Sequence, residues 1–121
     1  MSPLHILLVS DEDDGYADDL EAAADAADVE LTAIPAGRDV GLAAWRAQAD
    51  VIVFDGGDEP ARAERDATAF AHEHPHTVVA FVATGVDDLQ VGNYLVSHRW
   101  RAAERLVEQV TRLHAGVASF T

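Results

Sequence analysis

The sequence contains no cysteine, so the chain forms no disulfide and offers no thiolate for chemistry. Lysine is absent as well, and all eight basic side chains are arginines. No apolar run approaches the roughly 20 residues that a membrane-spanning helix needs. The first residues also lack the basic and then apolar pattern of a secretion signal. We therefore expect a cytoplasmic protein without a membrane segment.

Positive charge is scarce, because 22 acidic residues leave a formal net charge of −14. This charge repels the phosphates of nucleic acids and anionic membranes, so we expect direct binding to neither. High acidity, abundant alanine and the absence of lysine are together typical of a salt-loving cytoplasm and a GC-rich genome, and we expect the source to be a halophilic archaeon. Most acidic residues are then interpreted as a solubility adaptation.

Short apolar runs alternate along the chain with amphipathic segments. A length of 121 residues with 49% apolar residues fits one packed domain, expected over residues 1–114, with 115–121 as a tail or the start of a linker. The predicted strands are Ile6–Val9, Glu30–Pro35, Val51–Phe54, Val78–Ala83 and Tyr94–Val96. The predicted helices are Gly15–Ala27, Val40–Ala47, Pro60–His74 and Trp100–His114. This alternation predicts a parallel sheet covered by helices on both faces.

Three finer expectations concern packing and connections. Leu42 and Trp45 are expected to contact the core from the second helix, and Trp100 to be a packing residue. Asp13 or Asp14 can cap the first helix. Only about ten residues separate the last two strands, too few for a full crossover helix. We therefore expect a fourth helix of one turn at most, around Asp87–Val91.

Acidic residues follow two of the predicted buried strands. Asp11 and Glu12 come after the first strand, and Asp55 ends the third. In a parallel sheet these strand ends open on the same edge, where α/β proteins keep their sites. Crowded carboxylates repel one another, so they bind protons or recruit a cation. The pattern predicts a metal-assisted carboxylate site.

Three segments resemble the receiver domain of two-component response regulators, and the resemblance covers nearly the whole chain. They are Leu7–Glu12, Asp50–Asp55 and Asn93–His98. The resemblance implies an α/β, flavodoxin-like three-layer sandwich with a five-stranded parallel sheet in the order 2-1-3-4-5, its fourth helix shortened or missing. It also implies that the chain is not an enzyme, and that it works with a histidine kinase or another signalling protein, as one domain of a larger sensor protein or alone.

The same resemblance assigns roles to individual residues. Asp55 corresponds to the phosphoacceptor, and Asp11 to the acid that binds Mg²⁺ directly. Glu12 stands where a third acid is common, and the backbone carbonyl of Gly57 would complete the metal ligands. Tyr94 corresponds to the aromatic residue that reorients on activation.

Two positions depart from the family pattern. Ser97 stands where the family has the lysine that contacts the phosphoryl group, and His98 or Arg99 is a candidate to replace that lysine in part. The family's hydroxyl residue aligns with Val82, or with Thr84 after a two-residue shift. The resemblance thus implies an atypical receiver that either accepts a phosphoryl group on Asp55 with Mg²⁺ or acts as a pseudo-receiver, a binding module held in one state.

A Mg²⁺-dependent phosphatase on a parallel sheet is the alternative from another class. Phosphatases of the haloacid-dehalogenase type need a second acid two residues after the nucleophile, where this chain has Gly57. A flavin carrier is disfavoured because the loop after the first strand is acidic and would repel phosphate.

The acidity makes a prediction about salt. Because unscreened like charges repel one another, we expect the melting temperature of the protein to fall when salt is removed. Thermal unfolding followed by circular dichroism in low and high salt checks this. A melting temperature that is the same in both would contradict the interpretation of the acidity as a salt adaptation.

Overall fold

The computed structural model describes residues 4–12, 14–37, 39–57 and 59–118. Within them the chain forms six strands and four helices around one sheet. The strands are β1 (His5–Val9), β2 (Glu30–Ile34), β3 (Val51–Asp55), β4 (Val78–Ala83), β5 (Leu89–Val91) and β6 (Tyr94–His98). The helices are α1 (Tyr16–Ala26), α2 (Val40–Ala47), α3 (Pro60–Glu73) and α4 (Ala103–Ala118).

The sheet has the order β2-β1-β3-β4-β6-β5, and its first five strands in this order run parallel. The predicted flavodoxin-like order is confirmed, with β6 as the fifth parallel strand. Strands β3 and β4 are buried along their whole length, which explains why their sequences are uninterrupted apolar runs. They form the centre of the sheet. Because the strands run parallel, the carboxyl ends of β1, β3, β4 and β6 lie at one edge.

The two faces of the sheet have separate cores, because alternate residues of a strand point to opposite faces. Helices α1 and α4 cover one face, whose buried residues include Leu8, Val53 and Leu95. Helices α2 and α3 cover the other, which includes Phe54 and Phe81. The result is the predicted three-layer sandwich.

The sheet has a sixth strand where the sequence predicted a helical turn. Residues Leu89–Val91 form β5, which pairs antiparallel with β6 along the edge of the sheet. Gly92, at φ 57°, begins the two-residue turn between β5 and β6 and adopts a backbone conformation that favours glycine. The chain therefore returns from the end of β4 within the plane of the sheet, and no helix is needed to bring it back.

The exposed side of α2 corrects another prediction. Leu42 is 44% exposed and Trp45 is 77% exposed, so neither is a core contact. The helix instead packs its smaller residues Val40, Ala43 and Ala44 against the sheet. Both sets of residues fit the helical period, and periodicity alone did not decide between them. Trp100, expected to pack, is 76% exposed.

Helix α4 begins at Ala103, three residues after its predicted start at Trp100, and continues to Ala118, four residues beyond its predicted end at His114. Residues 119–121 of the predicted tail, and Asp13 as a candidate cap, lie outside the described residues. In the described part of the chain, no helix is both long and apolar enough to cross a membrane.

Candidate functional site

The site lies at the edge of the sheet where the parallel strands end. Asp55 is the last residue of β3, and Ser10 directly follows the neighbouring strand β1. Arg99 directly follows β6, and its backbone N–H donates to the carbonyl of Ala83 at the end of β4. Three strand ends therefore deliver one carboxylate, one hydroxyl and one guanidinium to the same place.

The Asp55 side chain is fully buried and accepts four hydrogen bonds. Its Oδ1 accepts from Nε of Arg99 at 2.6 Å and from the backbone N–H of Gly57 at 3.1 Å. Its Oδ2 accepts from the Ser10 hydroxyl at 2.7 Å and from Nη2 of Arg99 at 3.0 Å. An ionised carboxylate has about four acceptor positions, so these donors satisfy the group completely.

Arg99 is the cation that makes the burial of Asp55 possible. Besides its two bonds to Asp55, its guanidinium donates from Nη1 and Nη2 to both oxygens of Asp14, at 2.6 and 2.9 Å. The guanidinium carbon also lies 4.5 Å from the centroid of the Tyr16 ring, at the start of α1. Because the guanidinium is planar with a fixed fork of donors, one arginine bridges two carboxylates and an aromatic face.

The pKa values of Asp14 and Arg99 are shifted in the directions that an ion pair produces. Hydrogen bonds from Arg99 lower the pKa of Asp14 from 3.8 to about 2. Hydrogen bonds to Asp14 and Asp55 raise the pKa of Arg99 further above its already high value. Burial, with a contribution from the charge of Asp55, raises the pKa of the Tyr16 phenol. Around neutral pH, Asp14 and Arg99 are therefore charged and the Tyr16 phenol is neutral.

Asp11 and Glu12 line a cavity of about 190 Å³ together with Asp55. Oδ1 of Asp11 accepts from the backbone N–H of Ala36 at 2.8 Å, so that oxygen is held by the segment after β2. The Glu12 side chain lies over Gly57, where a Cβ atom would collide with it. The structure thus brings the predicted acids to one cavity, and Gly57, at φ 46°, occupies the turn beneath Glu12.

With Asp55 bonded in this way, the predicted Mg²⁺ ligands, which are Asp11, Glu12, Asp55 and the Gly57 carbonyl, do not fit the ion. Mg²⁺ requires near-octahedral oxygen ligands, commonly one or two carboxylates with waters. The acceptor positions of Asp55 are taken by Arg99, Ser10 and Gly57. Over residues 4–12, 14–37, 39–57 and 59–118, no group of three or more His, Asp or Glu side chains is placed to hold a metal ion.

The remaining predicted positions do not contact Asp55 through any hydrogen bond among the described residues. Ser97 is buried on β6. Val82 on β4 pairs with Asp55 on one side and with Ser97 on the other, so the Cα atoms of Asp55 and Ser97 are two strand spacings, or about 10 Å, apart. Thr84 is exposed in the turn after β4. Tyr94 lies at the start of β6, half-buried, where burial raises its pKa and its hydroxyl bonds with Thr68. The Nδ1 atom of His98 accepts from the backbone N–H of Trp100.

Of the two candidates to replace the missing lysine, Arg99 is the one that reaches Asp55. It lies two residues beyond the position where the family has lysine, so alignment placed Ser97 there instead. The signal available in the sequence was a cation directly after a buried strand in a chain without lysine. Asp14 and Tyr16 as further contacts of Arg99 had no such signal, because they meet it only in the folded chain.

The ion pair between Arg99 and Asp14 predicts a pH dependence. A carboxylate with a lowered pKa stabilises the fold above its unfolded pKa and loses this contribution as pH falls toward its folded value. We expect Asp14→Asn to be less stable than the wild type above about pH 4, with the difference shrinking between about pH 4 and 2. Urea denaturation across this range measures it.

Asp18→Asn is the matched control, because it removes a carboxylate from the same end of α1, outside the Arg99 ion pair. A difference between wild type and Asp14→Asn that stays constant from pH 7 to pH 2 would contradict the ion pair.

No protein-family model matches this sequence, and a search of curated proteins finds no match. Solved structures do match. NtrX from Brucella abortus, solved in complex with ADP, matches with a TM-score of 0.68 at 19% identity, over 97% of this chain and 27% of the NtrX chain. The N-terminal domain of the nisin resistance regulator NsrR, a lantibiotic response regulator, matches with a TM-score of 0.66 at 18% identity, over 93% of this chain and 99% of that domain.

A structure with a different function matches almost as well. The constitutive lysine decarboxylase of E. coli gives a TM-score of 0.65 at 12% identity, over 96% of this chain and 18% of the decarboxylase. Other matches are response regulators and CheY-like proteins. At these identities the likeness concerns the fold, and this chain spans about a quarter of the NtrX chain. The chain therefore has the CheY-like, flavodoxin-like fold of response-regulator receiver domains.

Proposed function

We propose that this chain is a pseudo-receiver, a receiver-fold signalling module that acts by binding a partner protein and does not accept a phosphoryl group. The observation that carries this proposal is the hydrogen-bonding of Asp55. All four of its acceptor positions are filled by protein donors, two of them from one guanidinium. A carboxylate attacks phosphorus with a free oxygen lone pair, and this one offers none.

Charge supports the same conclusion. Phosphoryl transfer to a carboxylate relies on a divalent ion and a cation to neutralise the developing charge. Here Arg99 already forms an ion pair with Asp55, and its guanidinium forms a second ion pair with Asp14. A phosphoryl group entering the site would have to displace this ion pair in a buried place, where an uncompensated carboxylate is costly.

The partner is proposed by class only. A receiver fold covering 27% of the NtrX chain supports a role as one domain of a larger signalling protein. The partner would be a histidine kinase or another signalling protein that recognises the surface of this domain. On this proposal the chain is not an enzyme, because Asp55 holds the fold together at this edge and does not turn over a substrate.

Incubation with acetyl phosphate and Mg²⁺, followed by intact-mass spectrometry, tests the proposal. We expect no phosphoryl adduct on the wild-type protein, because Asp55 has no free lone pair. Arg99→Ala removes two of the four donors, so an adduct that appears only in this variant would show that Arg99 blocks Asp55 in the wild type. Arg101→Ala is its matched control, since Arg101 pairs with Asp88 and not with Asp55. We expect Arg101→Ala to behave as the wild type.

An adduct on the wild-type protein that disappears in Asp55→Asn would overturn the proposal, because it would show that Asp55 still accepts a phosphoryl group. An adduct of equal number and yield on the wild type and on Asp55→Asn would place the modification on another residue and leave Asp55 unmodified, as proposed.

The same ion pair predicts a pattern of stabilities. Arg99→Met leaves the buried Asp55 without its cation, and we expect it to lower the free energy of unfolding by about 3–5 kcal/mol. Asp55→Asn should cost less, because Arg99 keeps Asp14 as a partner. We expect the double variant Arg99→Met/Asp55→Asn to lose less than the sum of the two single losses, by about 0.5–3 kcal/mol. Urea denaturation of the four proteins measures this coupling, and strict additivity would contradict it.

A further inference from the structure

An apolar strip of the sheet is left open beside α3. Leu89 pairs with Val96, and Val91 pairs with Tyr94, so these four side chains share one face of β5 and β6. Val96 and Tyr94 pack against the core on the α2 and α3 side, which places Leu89 and Val91 on that side as well. Leu89 is 54% exposed and Val91 is 62% exposed. We call these four residues the hairpin face.

The open strip has the dimensions of one helix. Helix α3 packs mainly on β3 and β4 and reaches β6 at Tyr94, whose hydroxyl bonds with Thr68, while the main contacts of β5 among the described residues are with β6. Two neighbouring strands are about 10 Å wide, which is also about the diameter of an α-helix. The five residues of β6 extend about 17 Å, the length of about 11 helical residues. Because the chain returns from β4 as a strand, no helix after α3 covers this strip in the part of the chain that the structure describes.

A helix fits the hairpin face better than an added strand does. Strand β5 has three residues, and an edge strand that short gives few backbone groups for a new strand to pair with. The face of a mostly parallel sheet is normally covered by helices, which bury its apolar side chains. The occupant is therefore expected to bring an apolar stripe to Leu89 and Val91.

The charges around the strip indicate what flanks that stripe. Glu64 on α3 lies near enough to Tyr94 to contribute to its raised pKa, with Arg65 and His72 on the same flank of the helix, and Asp87 is exposed just before β5. The chain as a whole has a net charge of −14. A second copy of the chain would bring the same charge, which opposes association, whereas a basic partner would be attracted.

We propose that the hairpin face binds an amphipathic helix of a partner protein, with an apolar stripe and lysine or arginine on its flanks. The helix would lie beside α3, across β6 and β5, and bury Leu89 and Val91. The proposal goes beyond the pseudo-receiver function, since it uses none of the residues that contact Asp55.

Calorimetric titration with a designed peptide tests it. The probe is a capped helical peptide of about 12 residues with leucines on one stripe and lysines on both flanks. We expect it to bind the wild-type protein, and to bind Leu89→Thr/Val91→Thr about tenfold or more weakly, because threonine keeps strand propensity but removes apolar area. Leu42→Ser/Trp45→Ser removes an exposed apolar pair from α2 and should bind as the wild type does.

A second peptide with glutamates in place of the lysines should bind at least about tenfold more weakly in low salt. Chemical-shift mapping on the wild-type protein checks the location independently, with the largest shifts expected for the hairpin-face side chains. Equal binding to the threonine variant, or equal binding of the two peptides, would overturn the proposal. A wild-type dimer in sedimentation that becomes a monomer in the threonine variant would also overturn it, because a second copy would then cover the face.

Discussion

The buried ion pair between Asp55 and Arg99 is the interaction on which the carboxyl edge of this sheet depends. A carboxylate that is fully inaccessible to solvent is tolerated only when a cation and further donors compensate its charge. Arg99 supplies that cation from the end of β6, Ser10 adds a hydroxyl from the end of β1, and Asp14 anchors the guanidinium to the start of α1. One arginine thereby connects three elements that are far apart in the sequence.

This arrangement changes the chemistry available to an aspartate at this place in the fold. A strand-end carboxylate with free lone pairs is a nucleophile or a metal ligand, while one saturated by donors is a structural anion. Asp11 and Glu12 line the adjoining cavity at the same edge. The carboxylate of Asp55, however, already accepts hydrogen bonds from Arg99, Ser10 and Gly57. The match to a lysine decarboxylase shows that this fold occurs in proteins of unrelated activity, so the contacts of the site carry more weight than the fold does.

Strand β5, which stands in place of a crossover helix, leaves apolar residues exposed at the edge of the sheet beside α3. A return path within the sheet satisfies backbone hydrogen bonds along β6 but covers no apolar surface. Leu89 and Val91 are therefore left exposed on a face that helices normally cover. In this molecule the ion pair fills the acceptor positions of Asp55, while the hairpin leaves apolar side chains exposed beside α3.

The sequence by itself determined five of the six strands, since β3 and β4, for example, are apolar runs too short for helices. Alternation with helices predicted a parallel sheet, and the resemblance to receiver domains supplied the order of its strands. The sequence also placed Asp11, Glu12 and Asp55 at one edge, since parallel strand ends must meet there. Only the tertiary structure decided that Arg99, and not Ser97, holds Asp55, that Leu42 and Trp45 face solvent, and that Leu89–Val91 is a strand. The physical reason is range: periodicity and strand ends are local properties of the chain, whereas the partner of a buried charge and the side of a helix that packs are set by residues that become neighbours only on folding.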